Sequence, residues 1–373
     1  MKLVDLDAQR LRLGPALDEA IAEVLRHGGY IMGPEVAQLE AALQERSGAT
    51  AVVSCSSGTD ALLLALMTLE VGPGDAVILP AFTFPATAEA VALLGAAPVF
   101  ADVDPHSANL DPASAQQAVE LAVGLGHAVK AIIGVDMYGQ PADHPALSAV
   151  AEAAGATLIA DAAQSFGARL GDRPVGQLAP LTATSFFPAK PLGCYGDGGA
   201  VFTDDPSTAE LLRSLRAHGK GKHKYEIERV GINGRLDTIQ AAVLLQKLTI
   251  FSDELVARER VAGWYDDRLG GVRRIRSVAA ERTTANAQYV VCVEERDVLA
   301  DKLSAARVPT AVHYPTPLHA QPAYDAAPRV QDLSVSELLA SQVLSLPMHP
   351  YLEVGEVELV VESMRQAGVE GLQ

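Results

Sequence analysis

One pattern constrains this chain more than any other: from about residue 50 to 205, short apolar runs alternate with stretches of helical spacing. The runs are AVVSC, AVILP, APVFADV, VKAIIGV, TLIAD, TATSFF and GAVFTD; between them lie segments such as TDALLLALMTL, PATAEAVALLG, HPALSAVAEAAG and STAELLRSLRAHG. Each run is continuously hydrophobic rather than alternating, which predicts strands buried on both faces of a mainly parallel sheet. The intervening helices then cover the two faces, so the class is α/β. After about residue 250 the pattern changes. A charge-studded helix, FSDELVARERVAGWYDDRL, leads to the strand-like AQYVVCVE and to short helical pieces. The expected organisation is a large domain over residues 1–250, with an N-terminal arm, and a smaller α+β domain over 251–373.

Composition narrows the function classes. Hydrophobic residues make up 49% and charged residues 20% of 373, a globular balance. A net charge of -17 argues against a nucleic-acid footprint. No apolar run reaches membrane-spanning length and the N-terminal MKLVDLDAQRLRLG has no apolar segment resembling a signal peptide, so no membrane partner and a cytoplasmic location are expected. Cys55, Cys194 and Cys292 are odd in number and far apart, which leaves neither a disulfide framework nor a paired-cysteine metal site. The histidines offer no HExxH, so no metal is expected.

Open α/β sheets bind ligands beyond the carboxyl ends of their strands, and those positions carry unusual residues here. After AVVSC comes SSGTD, small hydroxyl residues and a glycine opening a helix; Gly58 and Thr59 could leave backbone N–H groups free for a phosphate, or the segment could merely cap the helix. It is neither a Walker loop nor a GxGxxG. After AVILP comes AFTFP, whose aromatic ring either stacks on a flat ligand or belongs to the core. Asp161 closes TLIAD, where an ionised carboxylate is costly unless a positive group lies against it. TATSFF delivers Ser185, and SFFPAKPLGCYGDGGA then presents Lys190 among apolar and glycine residues, with no acidic residue nearer than Asp197. A lysine in such a pocket loses basicity and becomes a nucleophile, although a solvated loop lysine is the commoner case. A phosphate cradle, a stacking surface, a buried carboxylate and an isolated lysine are the set that pyridoxal phosphate requires.

The sequence resembles the DegT/DnrJ/EryC1/StrS family of nucleotide-sugar aminotransferases, which have the fold-type I, aspartate aminotransferase-like architecture. The resemblance spans nearly the whole chain: GGYIMGPEVAQLE, SSGTDAL, PAFTFPATAEA, MYGQPAD, DAAQSFGA, SFFPAKPLGCYGDGGA, GINGRLDTIQAA and HYPTPLHAQPAY, in one order. It implies pyridoxal 5'-phosphate as cofactor and Lys190 as the residue that condenses with its aldehyde. It further implies that Asp161 pairs with the ring nitrogen, Gln164 reaches the 3-hydroxyl, Phe84 stacks on the ring, and Gly58, Thr59 and Ser185 hold the phosphate. Asn233, in the GxNxR segment, would reach the phosphate of a neighbouring subunit, which implies a homodimer with its sites at the interface.

The same resemblance implies a ping-pong reaction in which an amino acid, glutamate by analogy, gives its amino group to the cofactor and a keto nucleotide sugar receives it. Relatives that are sugar 3-dehydratases carry histidine where this chain has Lys190. Cys194 lies close to Lys190, but its apolar neighbours make it a buried structural thiol rather than the reactive cysteine of a desulfurase. The segment HGKGKHKYEIER concentrates Lys220, Lys222, Lys224 and Arg229, a basic loop suited to a diphosphate or a carboxylate, or simply a solvated surface. HYPTPLH supplies Tyr314 and His319 on the substrate side, His319 being equally readable as structural. The wording around Lys190 and Asn233 is similar to members that aminate C3 of UDP-2-acetamido-2-deoxy-3-oxo-glucuronate for surface polysaccharides such as lipopolysaccharide. A 4-keto-6-deoxy nucleotide sugar is the alternative, and a non-catalytic ligand sensor on the same fold a more remote one. Asp136 stands where many relatives have histidine, and Gly234 where an aromatic or small polar residue is common.

Overall fold

The computed structural model describes residues 1–223, 225–276, 281–369 and 372. Three helices precede the sheet: α1 (Leu6–Leu13), α2 (Pro15–His27) and α3 (Pro34–Ser47). The sheet region runs β1 (Ala51–Cys55), α4 (Gly58–Thr68), β2 (Asp75–Pro80), α5 (Ala86–Leu93), β3 (Ala97–Ala101), α6 (Pro112–Gly124), β4 (Ala128–Val135), α7 (His144–Ala154) and β5 (Thr157–Asp161). A small hairpin, β6 (Arg169–Leu170) and β7 (Arg173–Pro174), precedes β8 (Leu181–Ser185), β9 (Gly199–Thr203) and α8 (Pro206–Leu215). The chain then continues through α9 (Thr238–Arg268), β10 (Tyr289–Cys292), α10 (Arg296–Ala305), α11 (Ser334–Gln342), β11 (Val343–Leu346) and α12 (Val354–Gln366).

Each apolar run of the sheet region becomes one strand of a seven-stranded sheet, ordered β1-β9-β8-β5-β4-β2-β3. The strands from β8 to β3 are parallel to one another, and β9 runs antiparallel to both β1 and β8. The seven strands are buried almost end to end, as strands covered on both faces must be. The reversal of β9 matters for the site. It brings Gly199, the first residue of β9, between Cys55 and Ser185, the last residues of β1 and β8. Residues 186–198 therefore leave and rejoin the sheet at the same edge.

A second core gathers Val261 and Tyr265 of α9, Tyr289 and Val291 of β10, Leu344 and Leu346 of β11, and Val357 and Val360 of α12. The 31-residue α9 serves both cores, since Ala241, Leu244 and Phe251 pack in a cluster with Leu39 and Leu43 of α3. The chain thus passes from one core to the other inside a helix, through residue 250, rather than through a linker. That helix begins at Thr238, well before the charge-studded FSDEL segment from which its pattern was legible. Its first turns, TIQAAVLLQKL, are apolar around most of the circumference because they are enclosed, so they carry little periodic signal. Among the described residues no helix is long and apolar enough to cross a membrane, and no cluster of metal-ligating side chains occurs.

Candidate active site

The carboxyl edge of the parallel strands gathers the chemically unusual residues. Asp161, at the end of β5, is 6% exposed; its Oδ2 accepts from Thr87 Oγ1 at 3.2 Å and its Oδ1 from the Ala163 N–H at 3.1 Å. Burial pushes its pKa up, and the nearby charge of Lys190 draws it back down. Lys190 shows the converse: burial lowers its pKa and Asp161 opposes the shift. Lys190 sits on a closed loop, in which the Phe186 N–H donates to the Gly198 carbonyl and the Cys194 N–H to the Phe186 carbonyl, both at 2.7 Å. Gly193 makes that closure possible, because a Cβ there would stand 2.5 Å from the carbonyl oxygens of Phe187 and Pro188. Cys194 is fully buried, donates to the carbonyls of Phe186 and Gly196, and has its thiol pushed up to about 11 by burial. It is a packing thiol.

Next to this loop, the Ser57 hydroxyl accepts from the Asp60 N–H at 3.0 Å, so the helix-capping reading holds for Ser57. Gly58 and Thr59 occupy the first turn of α4, where backbone N–H groups lack intrahelical acceptors. A Cβ on Gly58 would lie 2.7 Å from the Ser185 Cβ, so the start of α4 and the end of β8 touch and Ser185 Oγ stands beside that turn. The two aromatic rings after β2 separate cleanly: Phe82 is fully buried core, whereas Phe84 is 53% exposed. The Phe84 ring centre lies 5.8 Å from that of Tyr314. Gln164 is buried; its Oε1 accepts from the Tyr138 N–H at 2.8 Å, while its Nε2 has the sulfur of Met137 at 3.7 Å, a weak acceptor. Burial and the charge of Asp161 raise the pKa of the Tyr314 phenol, and Gln164 opposes the shift. The set comprises free N–H groups at a helix start, an exposed ring at a strand end, a weakly engaged amide and a buried carboxylate opposite a lysine. It fits a flat, phosphorylated, cationic ring.

Three residues of the site are absent from the sequence reading. Thr87 bonds Asp161 as described. Tyr138 is buried with a positive φ of 59° and donates its hydroxyl to the His313 carbonyl, joining the loop after β4 to the segment that bears Tyr314. His313 bonds Ser345 Oγ through Nδ1 at 2.8 Å; burial lowers its pKa, and the Lys190 charge lowers it further. The signal for Tyr138 was its place just after the apolar run of β4, and that for His313 its place at the head of HYPTPLH, where only Tyr314 and His319 were singled out. Asp136 is fully buried and accepts from the Ala142 N–H, His144 Nε2 and Ser165 Oγ at 2.8, 2.7 and 2.6 Å. Its charge also raises the Asp161 pKa.

Other sequence candidates lie apart from this group. His319 is buried and its Nε2 stands 3.3 Å from Glu337 of α11, a contact of the structural kind. Arg229 binds Ser214 Oγ at 2.5 Å and Glu228 at 2.9 Å. Lys220 and Lys222 are exposed, and Lys224 lies outside the described residues. Asn233 is exposed; its neighbour Gly234 accepts from the Ser56 N–H at 3.1 Å, which sets this segment beside the start of α4.

A mainly parallel sheet covered on both faces, a second smaller core, and a lysine opposed to a buried carboxylate at the strand ends define a fold-type I enzyme of the aspartate aminotransferase kind. The chain belongs to the DegT/DnrJ/EryC1/StrS aminotransferase family, whose model matches residues 12–365. It is 47% identical, over 98% of its length and 99% of the relative's, to the UDP-2-acetamido-2-deoxy-3-oxo-D-glucuronate aminotransferase of Pseudomonas aeruginosa. Among solved structures it superposes on a DegT DnrJ EryC1 StrS aminotransferase from Brucella abortus with a TM-score of 0.95 and 47% identity, covering 98% of this chain and 99% of that one. It also matches the PLP-form of the putative sugar aminotransferase Spr1654 from Streptococcus pneumoniae, with a TM-score of 0.87 and 25% identity over 94% and 95% of the two chains.

Proposed function

We propose that this chain is a pyridoxal-phosphate aminotransferase that moves the amino group of glutamate to C3 of a UDP-linked 2-acetamido-2-deoxy-3-oxo-glucuronate, in the cytoplasm, on the way to a surface polysaccharide such as lipopolysaccharide. The observation that carries the reading is the opposition of Lys190 and Asp161 at the strand ends, with burial disfavouring the charge on each. The relative from Pseudomonas supports the choice of sugar, and three buried, unpaired cysteines suit a reducing compartment.

Bound pyridoxal phosphate would supply an electron sink that lets an amino acid release its α-proton and part with its amino group. The residues have these roles. Lys190 would hold the cofactor through its amine and, when free, would take the proton from the donor's α-carbon as a general base; burial lowers its pKa, which favours the neutral amine this needs. Asp161 would keep the ring nitrogen protonated by placing a carboxylate against it. Gln164 would offer its Nε2 to the 3-hydroxyl, Phe84 would cover the ring, and Gly58, Thr59 and Ser185 would bind the phosphate. Tyr314, facing Phe84, narrows the substrate side.

The active unit is a homodimer in which Asn233 reaches the partner's phosphate site. Supporting this, Tyr30, Ile31 and Met32 are each about half exposed, and Ile227 and Val230 are 58% and 87% exposed, an apolar surface flanking Asn233. Arg229 and the neighbouring lysines meet the sugar's diphosphate or carboxylate across that interface. The experiment is reduction of the cofactor-loaded protein with borohydride, followed by peptide mass mapping. The reading requires the phosphopyridoxyl mass on Lys190, and a protein that takes up no cofactor rules it out.

A further inference from the structure

Helix α9 turns two side chains toward the segment that follows Lys190. Gln240, near its start, brackets the backbone of Tyr195: the Tyr195 N–H donates to Gln240 Oε1 at 2.9 Å, and Gln240 Nε2 donates to the Tyr195 carbonyl at 3.4 Å. Lys247 follows two turns later on the same face. Its Nζ lies 4.2 Å from the centre of the Tyr195 ring. The next residue, Gly196, fits tightly under the same helix, since a Cβ there would meet Gln240 Nε2 at 2.9 Å.

Lys247 is 1% exposed, and its Nζ has no hydrogen-bond partner among the described residues. Burying an ammonium without acceptors costs stability. Its favourable surroundings are the face of Tyr195 and the fields of Glu254 and the Cys194 sulfur, yet burial still lowers its pKa to about 8. A methionine would fill the same space without that cost. So the cation is not explained by packing, and the ring it holds belongs to the Lys190 loop. Only Pro191 to Cys194 separate Lys190 from Tyr195, with Gly193 pressed against the carbonyls of Phe187 and Pro188, so a displaced Tyr195 would carry Lys190 with it.

We propose that Lys247 and Gln240 are positioning residues for Lys190: from α9 they clamp Tyr195, by its ring and by its backbone, and thereby hold the Phe186–Gly198 loop in place. The functional part rests on Lys190 being the cofactor-bearing lysine, but the clamp itself is open to test without cofactor. Hydrogen exchange of the loop amides in cofactor-free protein would be compared for wild type, Lys247→Met, Lys247→Arg and Gln240→Leu. The clamp requires loop exchange faster by about tenfold in the Met and Leu variants, unchanged exchange in β1 to β5, and near wild-type exchange in the Arg variant. It also requires the melting temperature of Lys247→Met to be equal to or above that of wild type, an outcome opposite to that for a packing residue. Unchanged loop exchange, faster exchange throughout with a lower melting temperature, or an Arg variant no better than the Met variant would overturn it. With cofactor, fixation of pyridoxal phosphate to Lys190 by borohydride should be slower by about tenfold in Lys247→Met and restored in Lys247→Arg. Fixation at the wild-type rate in both removes the positioning role and leaves the proposed function standing. A wild-type protein that fixes no cofactor sinks that function, while the exchange result still decides the clamp.

Discussion

Asp161 and Lys190 work against each other's desolvation: burial raises the pKa of the carboxyl and lowers that of the amine, and each group partly restores the charge of the other. Asp161 closes β5 beside β8, and Lys190 lies on the closed loop that leaves the end of β8, so strand pairing and loop closure together set the relation before any ligand arrives. Because the folded pKa of Asp161 lies above its ordinary 3.8, the fold holds this proton more tightly than the unfolded chain does. That contribution is complete below the unfolded pKa and lost as pH rises through the folded one. Asp161→Asn keeps an acceptor for Thr87 and removes the buried charge. Urea midpoints of the cofactor-free variant should match or exceed wild type at neutral pH and lack the wild-type decline with rising pH, while cofactor retention weakens by roughly tenfold or more. A variant that loses stability and keeps its cofactor would contradict this role.

On the proposed roles, replacing Lys190 removes both the anchor and the proton carrier. Lys190→Met should give no borohydride-stable adduct, and turnover should fall by roughly 10² to 10⁴. Turnover within a few-fold of wild type would assign the proton transfer to another group.

Subunit mixing tests the placement of Asn233. Asn233→Ala and Lys190→Met proteins should each be nearly inactive alone; if Asn233 acts across the dimer, reassorted mixtures regain up to roughly a quarter of wild-type activity, because half the dimers are mixed and each holds one intact site. Activity that stays at the level of the separate variants would place Asn233 in its own subunit's site.

Tyr138 links the two cores through its hydroxyl bond to the His313 carbonyl. Tyr138→Phe leaves that carbonyl without its donor, and an unfolding free energy from denaturant titration lowered by about 1–3 kcal/mol is expected. The effect should extend to amination kinetics, since Tyr314 is the next residue. A shift in stability alone, with unchanged kinetics, would make the bond purely structural.

The strand-end residues were legible because parallel strands buried on both faces announce themselves as unbroken apolar runs, and ligands gather where such strands stop. Lys190, Asp161 and the SSGTD turn were singled out this way, whereas Cys194 was read as inert from its apolar neighbours. The aromatic after AVILP was less clear: the sequence could not separate a core ring from an exposed one, and the structure divides them as Phe82 and Phe84. For groups that arrive from distant sequence, a motif did not show which side chain would reach the site. His313 reaches the site from the second core, Gln240 and Lys247 reach Tyr195 from a helix whose first turns are enclosed, and the reversal of β9 has no signature within its own five residues. His319 shows the opposite case, a polar residue suggestive in its motif whose imidazole meets Glu337 instead.

The account is tested most directly by the second half-reaction. Protein loaded with pyridoxamine phosphate and freed of amino donor would be mixed with UDP-2-acetamido-2-deoxy-3-oxo-glucuronate and, separately, with a 4-keto-6-deoxy nucleotide sugar, with the absorbance band of the Lys190-bound cofactor and the mass of the sugar product followed together. Return of that band with a 3-amino uronate product, at a rate well above that with the 4-keto sugar, is the predicted result. No amino sugar from either substrate would contradict the proposed function, and amination of the 4-keto sugar alone would contradict the choice of substrate.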